Sequence, residues 1–166
     1  MNALPALCLA LGLGLALGPV AAQPAWADCA RPGNAAAHIT QTLAEINAYR
    51  RTSGLPALAQ NDKLTKAAGG HACDLAKMRK LSHTGSNGSN LPRRVKAQGY
   101  QFRVINENIA DLPASKSATK SAANLWFNSS GHRANMLDRG ITELGLGLAL
   151  GAGNRLYWVM VGGRAK

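Results

Sequence analysis

Acidic residues are scarce in this chain. Eight Asp and Glu stand against 19 Lys and Arg over 166 residues, a formal net charge of +11 at pH 7. That imbalance favours anionic partners, such as envelope phosphates, acidic glycans or anionic lipids. Aromatics are also few: three Trp, three Tyr and two Phe. With no basic repeat beside them, dedicated nucleic-acid binding is not expected. Only three cysteines occur and no C-x-x-C pattern accompanies them, which argues against a cysteine-built zinc site. No G-x-S-x-G elbow is present. Beyond residue 27 no apolar run is long enough to span a membrane, a task that takes ~20 residues.

The one long apolar run lies at the amino terminus. Leu7 to Gly18 is built from Leu, Ala and Gly with Cys8, and small residues around Ala22 and Ala25-Trp26-Ala27 follow it. This reads as a signal peptide over residues 1–27, cut after Ala27, with a cut after Ala22 as the second choice. Its n-region lacks the usual Lys or Arg, and an uncleaved anchor is the competing reading. Export predicts a secreted or periplasmic protein. It leaves Cys29 and Cys73 as an even pair in an oxidising compartment, hence a Cys29–Cys73 disulfide. No charged residue falls in the first 27, so the mature chain keeps all the positive charge. Arg93, Arg94 and Lys96 form its densest basic patch.

Residues 28–38 form an N-terminal segment, and 39–166 are one domain by size. Ile39, Leu43, Ile46 and Tyr49 or Arg50 recur at helical spacing, up to a stop before Gly54. Leu55 to Leu58 reads as a connector. Asn61 or Asp62 caps a second helix whose inner stripe holds Leu64, Ala67, Ala68, His71, Leu75 and Met78. A flexible loop over 85–90 leads to a short helix ending at Gly99. Tyr100, Phe102 and Val104 alternate, predicting a strand as far as Glu107. Residues 117–127 predict a third long helix with Ala118, Ala122, Leu125 and Trp126 inside. Leu144, Leu146, Leu148 and Leu150 alternate with Gly145, Gly147 and Ala149, a period of two that predicts a strand. A turn over 151–154 and a return strand over 156–161 complete a hairpin. The bare glycine face should let a helix approach closely. The whole predicts an α+β fold, a three-layer α-β-α sandwich on a small antiparallel sheet.

Chemistry-bearing residues are spread over about fifty positions: Ser82-His83, Glu107-Asn108, and Trp126-Phe-Asn-Ser-Ser-Gly-His132-Arg-Ala-Asn135. Two imidazoles and one carboxylate suit either a metal site or acid–base chemistry. Taken singly, each has a blander reading. His83 and His132 could satisfy loop backbones, Glu107 could pair with one of many arginines, and Ser129 could bond a helix end. His71 sits on an apolar stripe and reads as core. Asn108 reads as structural.

In their order, these segments resemble the CAP superfamily of cysteine-rich secretory, antigen 5 and pathogenesis-related proteins, in its bacterial SCP-like branch. The resemblance runs from about Ile39 to Gly163. It is carried by Ile46-Asn-Ala-Tyr-Arg50, Leu55-Pro-Ala-Leu58, His71-Ala-Cys-Asp-Leu-Ala76, Ser82-His83, Gly99-Tyr100, Glu107-Asn-Ile-Ala110, Trp126 to Asn135 and Gly145-Leu-Gly147. It implies a central cleft lined by His83, Glu107 and His132. The family's second acid falls at Ser129, a departure that weakens both tight metal binding and carboxylate-dependent peptidase chemistry. Through His83 and His132, a divalent cation such as zinc is the cofactor the resemblance implies. Two functions follow from it: a secreted binding module for envelope, lipid or other extracellular ligands, expected as a monomer, and an extracellular peptidase-like hydrolase. The first is favoured, and whether the chain is an enzyme stays open.

Overall fold

The computed structural model describes residues 29–114 and 118–166. The chain runs α1 (Ala35–Thr52), β1 (Ala59–Gln60), α2 (Asp62–Met78), α3 (Leu91–Ala97), β2 (Phe102–Pro113), α4 (Ala118–Asn128), α5 (Ser130–Met136), β3 (Glu143–Gly151) and β4 (Arg155–Ala165). The strands form one sheet in the order β1-β3-β4-β2. Its long pairs are antiparallel, and the two-residue β1 lies parallel to β3. Helices cover both faces, so the expected α+β three-layer sandwich is what forms.

The period of two in β3 decides which helices pack where. Leu144, Leu146 and Leu148 point into one core with Ile46, Trp126, Met136, Leu156, Trp158 and Met160. This is the layer of α1, α4 and α5. Each buried Leu contributes ~1.5–3 kcal/mol relative to exposure. The opposite face of β3 is nearly bare. A Cβ on Gly145 would fall on the Leu64 carbonyl carbon and the Thr65 nitrogen, and one on Gly147 would fall on the Ala68 carbonyl. The backbone of α2 therefore lies directly on the sheet, as the glycine face predicts. Ala67, Ala68, Ala72 and Ala76 on α2 are small enough for that approach, and Leu64, Leu75, Tyr157, Val159 and Val161 fill the rest of this second core.

The ends of the elements follow local chemistry. The Asn61 side chain accepts from the Lys63 and Leu64 amides and so starts α2. The Asn90 side chain accepts from the Arg93 amide and starts α3, and Gly99, at φ 72°, lets the chain leave it. Gly153 and Asn154 both take positive φ in the hairpin turn. A disulfide joins Cys29 to Cys73 and ties the segment before α1 to α2, as expected from the even pair.

Three expectations need correction. Strand β2 does not stop at Glu107 but pairs with β4 through Pro113, because Glu107, Asn108, Ile109 and Ala110 are all buried and leave no alternation to read. Leu125 is not on the inner side of α4; it is 40% exposed, and the buried residues there are Ala122, Ala123 and Trp126. A further helix, α5, follows Asn128, where the residue pattern ends its third long helix at Phe127 and predicts none after it. The expected leader over 1–27, the expected mature start at Asp28, Ser117 and the side chain of Ala118 lie outside the described residues. No helix among the described residues is long and apolar enough to cross a membrane.

Candidate functional site

His83 stands on the loop between α2 and α3. Side chains of both helices hold that loop. From α2, the His71 Nε2–H donates to the Ser82 carbonyl at 2.8 Å, and Asp74 accepts from the Ser86 amide at 2.7 Å and from its hydroxyl at 2.5 Å. From α3, Arg94 Nη1 donates to the His83 carbonyl at 3.1 Å and to the Ser89 carbonyl at 2.8 Å. The expected core role of His71 holds, since it is 1% exposed. It is also the residue that seats Ser82 beside His83.

Glu107 rises from the middle of β2 with its side chain 3% exposed. Its two oxygens are divided between two donors. His83 Nδ1–H donates to Oε1 at 2.8 Å, and Arg94 Nη2 donates to Oε2 at 2.7 Å. A carboxylate accepts only, so the contact assigns the His83 proton to Nδ1 and leaves Nε2 as the basic atom. The His83 side chain is 61% exposed, so that atom belongs to a solvent-reachable ring.

His132 sits in the first turn of α5. Its Nδ1 lies 3.0 Å from the Ser129 hydroxyl, which makes no capping bond of its own. Asn108 Nδ2 donates to the His132 carbonyl at 2.9 Å. Asn135 Nδ2 donates to the Asn108 side-chain oxygen at 2.8 Å and to the Glu107 carbonyl at 3.2 Å. The fully buried Asn108 is therefore structural, as expected, and it fastens α5 to β2 beside Glu107. Burial first, and then the neighbouring His83 imidazole, hold the His132 pKa below its ordinary value of 6.5. Glu107 thus lies against His83 and Ser129 against His132, and the His83 imidazole is the charged neighbour of His132.

The expected basic patch divides. Arg94 turns inward to Glu107, with a side chain only 10% exposed. Lys96 lies 5.8 Å over the Phe102 ring. Of the three, Arg93 alone keeps a guanidinium without a partner among the described residues, on the wall of a groove between α2 and α3. Arg94 thus bonds Glu107 and the His83 carbonyl, where charge density along the sequence predicts a surface residue. Its signal is its place on α3, where Leu91, Arg94, Val95 and Gln98 follow the i, i+3, i+4, i+7 stripe that faces inward.

Neither ring nitrogen Nε2 of the pair His83 and His132 has a hydrogen-bond partner among the described residues. Among those residues no group of three or more His, Cys, Asp or Glu is placed to hold a metal. Glu107 is already engaged by Arg94 and by His83. A cation here would have two imidazoles from the protein, and water for the rest.

A CAP family model, that of the cysteine-rich secretory proteins, matches residues 43–161. This chain belongs to the CAP family. The CAP match spans His83, Arg94, Glu107, Ser129 and His132. Among curated proteins, the chain is 25% identical to Bacillus subtilis YkwD over 129 residues, 78% of this chain and 49% of that protein. It is 31% identical to the Bacillus subtilis membrane protein YlbC over 112 residues, 65% of this chain and 30% of that one. It thus spans half or less of the length of these two relatives. Among solved structures, an extracellular Bacillus anthracis protein containing an SCP domain superposes with a TM-score of 0.68 at 28% identity, covering 78% of this chain and 41% of that one. An outer surface protein of Borrelia burgdorferi gives a TM-score of 0.74 at 21% identity, covering 83% of this chain and 99% of that one, and so shares the CAP fold.

Proposed function

We propose that this CAP domain is an exported binding module whose His83/His132 cleft takes a divalent cation and whose basic surface meets anionic envelope components or lipids. One observation carries the cation reading: each imidazole spends Nδ1 on a protein partner and leaves Nε2 free. Metal-bound histidines characteristically give their other nitrogen to such a partner, which fixes ring orientation. The depressed His132 pKa acts in the same direction, because a ligand must be neutral. His83 and His132 would hold the ion through Nε2, Glu107 and Ser129 would orient them, and the ion would supply a Lewis-acidic centre. With two nitrogens in place of the three or four ligands of most zinc sites, affinity is modest.

Calorimetry with zinc tests this. The parent should bind one equivalent, the variant with His83→Ala and His132→Ala should bind none, and binding should fade below about pH 6 as imidazole ligands protonate. Equal binding by parent and double variant would place the ion elsewhere.

The disulfide and the extracellular SCP-domain relative support export. Intact-mass measurement of exported protein should find a chain starting at Asp28. The anionic-partner reading rests on the net charge of +11. Binding to anionic vesicles should weaken as salt shortens the Debye length from ~30 Å at 0.01 M to ~8 Å at 0.15 M.

A hydrolase is the second reading. It is favoured by the buried Glu107 behind His83, which resembles the orienting half of a catalytic base. Here His83 Nε2 would accept a proton from water. Turnover of a peptide library, lost in His83→Ala, would establish it.

A further inference from the structure

The loop between α2 and α3 carries Asn87-Gly88, the one Asn-Gly step in the chain. The step closes a turn. The Gly88 amide donates to the Gly85 carbonyl at 2.9 Å, and Gly88 holds φ 72°, which glycine adopts without steric cost. Asn87 and Gly88 are both exposed, as the tip of a surface loop should be. Chain neighbours aside, no heavy atom lies within 4 Å of the place a Gly88 Cβ would take. No side chain therefore shields the main-chain nitrogen that follows Asn87.

The Asn87 amide is held at one end only. Its Oδ1 accepts from the Ser89 amide at 3.0 Å, the bond an asparagine makes to the backbone two residues on. Its Nδ2 has no partner among the described residues. Attack of the Gly88 nitrogen on Cγ would develop negative charge on Oδ1, where the Ser89 N–H already points, and the nitrogen that must leave is unrestrained. Asparagines elsewhere are placed differently. Asn61 and Asn90 cap helices, Asn124 and Asn128 lie within α4, and Asn106 and Asn108 spend Nδ2 on protein acceptors. None of the others precedes a glycine.

We propose that Asn87-Gly88 is a self-modifying site, at which Asn87 converts through a cyclic imide to aspartate and isoaspartate. The only reactant is water. Hydroxide takes the Gly88 amide proton, the nitrogen bonds to Cγ, and the Cγ–Nδ2 bond breaks to release ammonia. Water then opens the ring. Addition at Cγ restores the ordinary backbone with an aspartate side chain. Addition at the main-chain carbonyl leaves isoaspartate, whose backbone is longer by a methylene. One water is consumed for each ammonia released, and nothing is oxidised or reduced. Asn87 lies on the groove that Lys66, Lys77 and Arg93 also line, so either product sets a carboxylate among those cations. The isoaspartate form also withdraws Oδ1 from the Ser89 amide. Ser89 is the residue whose carbonyl accepts from Arg94 at 2.8 Å, so the change acts on the loop that carries His83. The chemistry does not depend on a cation at His83.

The test holds the mature, disulfide-bonded protein at mildly alkaline pH in heavy-oxygen water. Its peptides are then mapped by mass spectrometry, with fragmentation that separates aspartate from isoaspartate. Asn87 should gain one heavy oxygen and yield both products before any other asparagine reacts. Its rate should lie within about tenfold of that in the same chain unfolded in urea. Asn87→Gln should show no conversion over the same time, because its longer side chain closes the ring slowly. Native protein that stays intact while the unfolded chain converts, or another asparagine reacting first, would overturn the proposal. The isolated isoaspartate form should unfold at lower urea than Asn87→Asp, which keeps an acceptor for the Ser89 amide. Equal midpoints would overturn the link to the His83 loop.

Discussion

His83 and His132 are the same ring held in opposite ways. His83 is fastened by charge: Arg94 and Glu107 form a buried ion pair, and the imidazole completes it. His132 is fastened by neutral groups, the Ser129 hydroxyl and the Asn108 amide. The difference has an energetic consequence. A buried carboxylate requires its partners, since an unpaired ion in the interior costs several kcal/mol. A neutral hydroxyl can be lost at the cost of one ordinary hydrogen bond. The first half is therefore rigid and fragile, and the second adaptable.

The largest expected effect comes from breaking the charged half. Arg94→Met leaves Glu107 buried without its cation and removes two bonds to the His83 loop, so it should destabilise by about 3–5 kcal/mol. Urea unfolding measures it. Adding Glu107→Gln to that variant removes the stranded charge and should recover part of the loss, a coupling of about 1–3 kcal/mol. If the two losses simply add, the pair is not the unit that holds His83. The neutral half should respond less. Ser129→Ala should cost about 1 kcal/mol, a smaller shift of the urea midpoint than Arg94→Met gives.

Acid sharpens the same contrast. The pKa values of His71 and His132 are lowered in the folded protein by burial first, from 6.5 in the unfolded chain. The unfolded state therefore binds more protons as pH falls below about 6.5. The stability these two groups contribute is full above that value and is lost as pH drops through their folded values. Unfolding midpoints should decline as acid is added from about pH 7.5 to about pH 5, and His132→Gln should flatten part of the slope. The smallest expected effect makes the halves alike. Ser129→Glu places a carboxylate beside His132 and should raise its pKa relative to the parent, read by proton NMR, while tightening zinc severalfold.

Much of this is legible in residue patterns, and the failures have physical causes. The Leu/Gly alternation of β3 announces both cores, because a strand has two faces and only one carries side chains. His83, Glu107 and His132 are legible as a set through their order. Arg94 escapes because charge density along the sequence ignores direction: on α3 it shares a stripe with Val95, which is fully buried. The second half of β2 loses its period because both faces of that stretch are covered. Helix α5 escapes because its start, Ser129, is an extended residue whose hydroxyl serves His132 instead of a cap.

The central claim is that the two rings act together through their free Nε2 atoms. Histidine nitrogen NMR during a zinc titration tests it most directly. One equivalent of zinc at about pH 7.5, where unperturbed imidazoles are neutral, should move the Nε2 signals of His83 and His132 in step. Each Nδ1 should keep its partner, and His38 and His71 should stay still. Movement of one ring without the other, or of neither, would contradict the account.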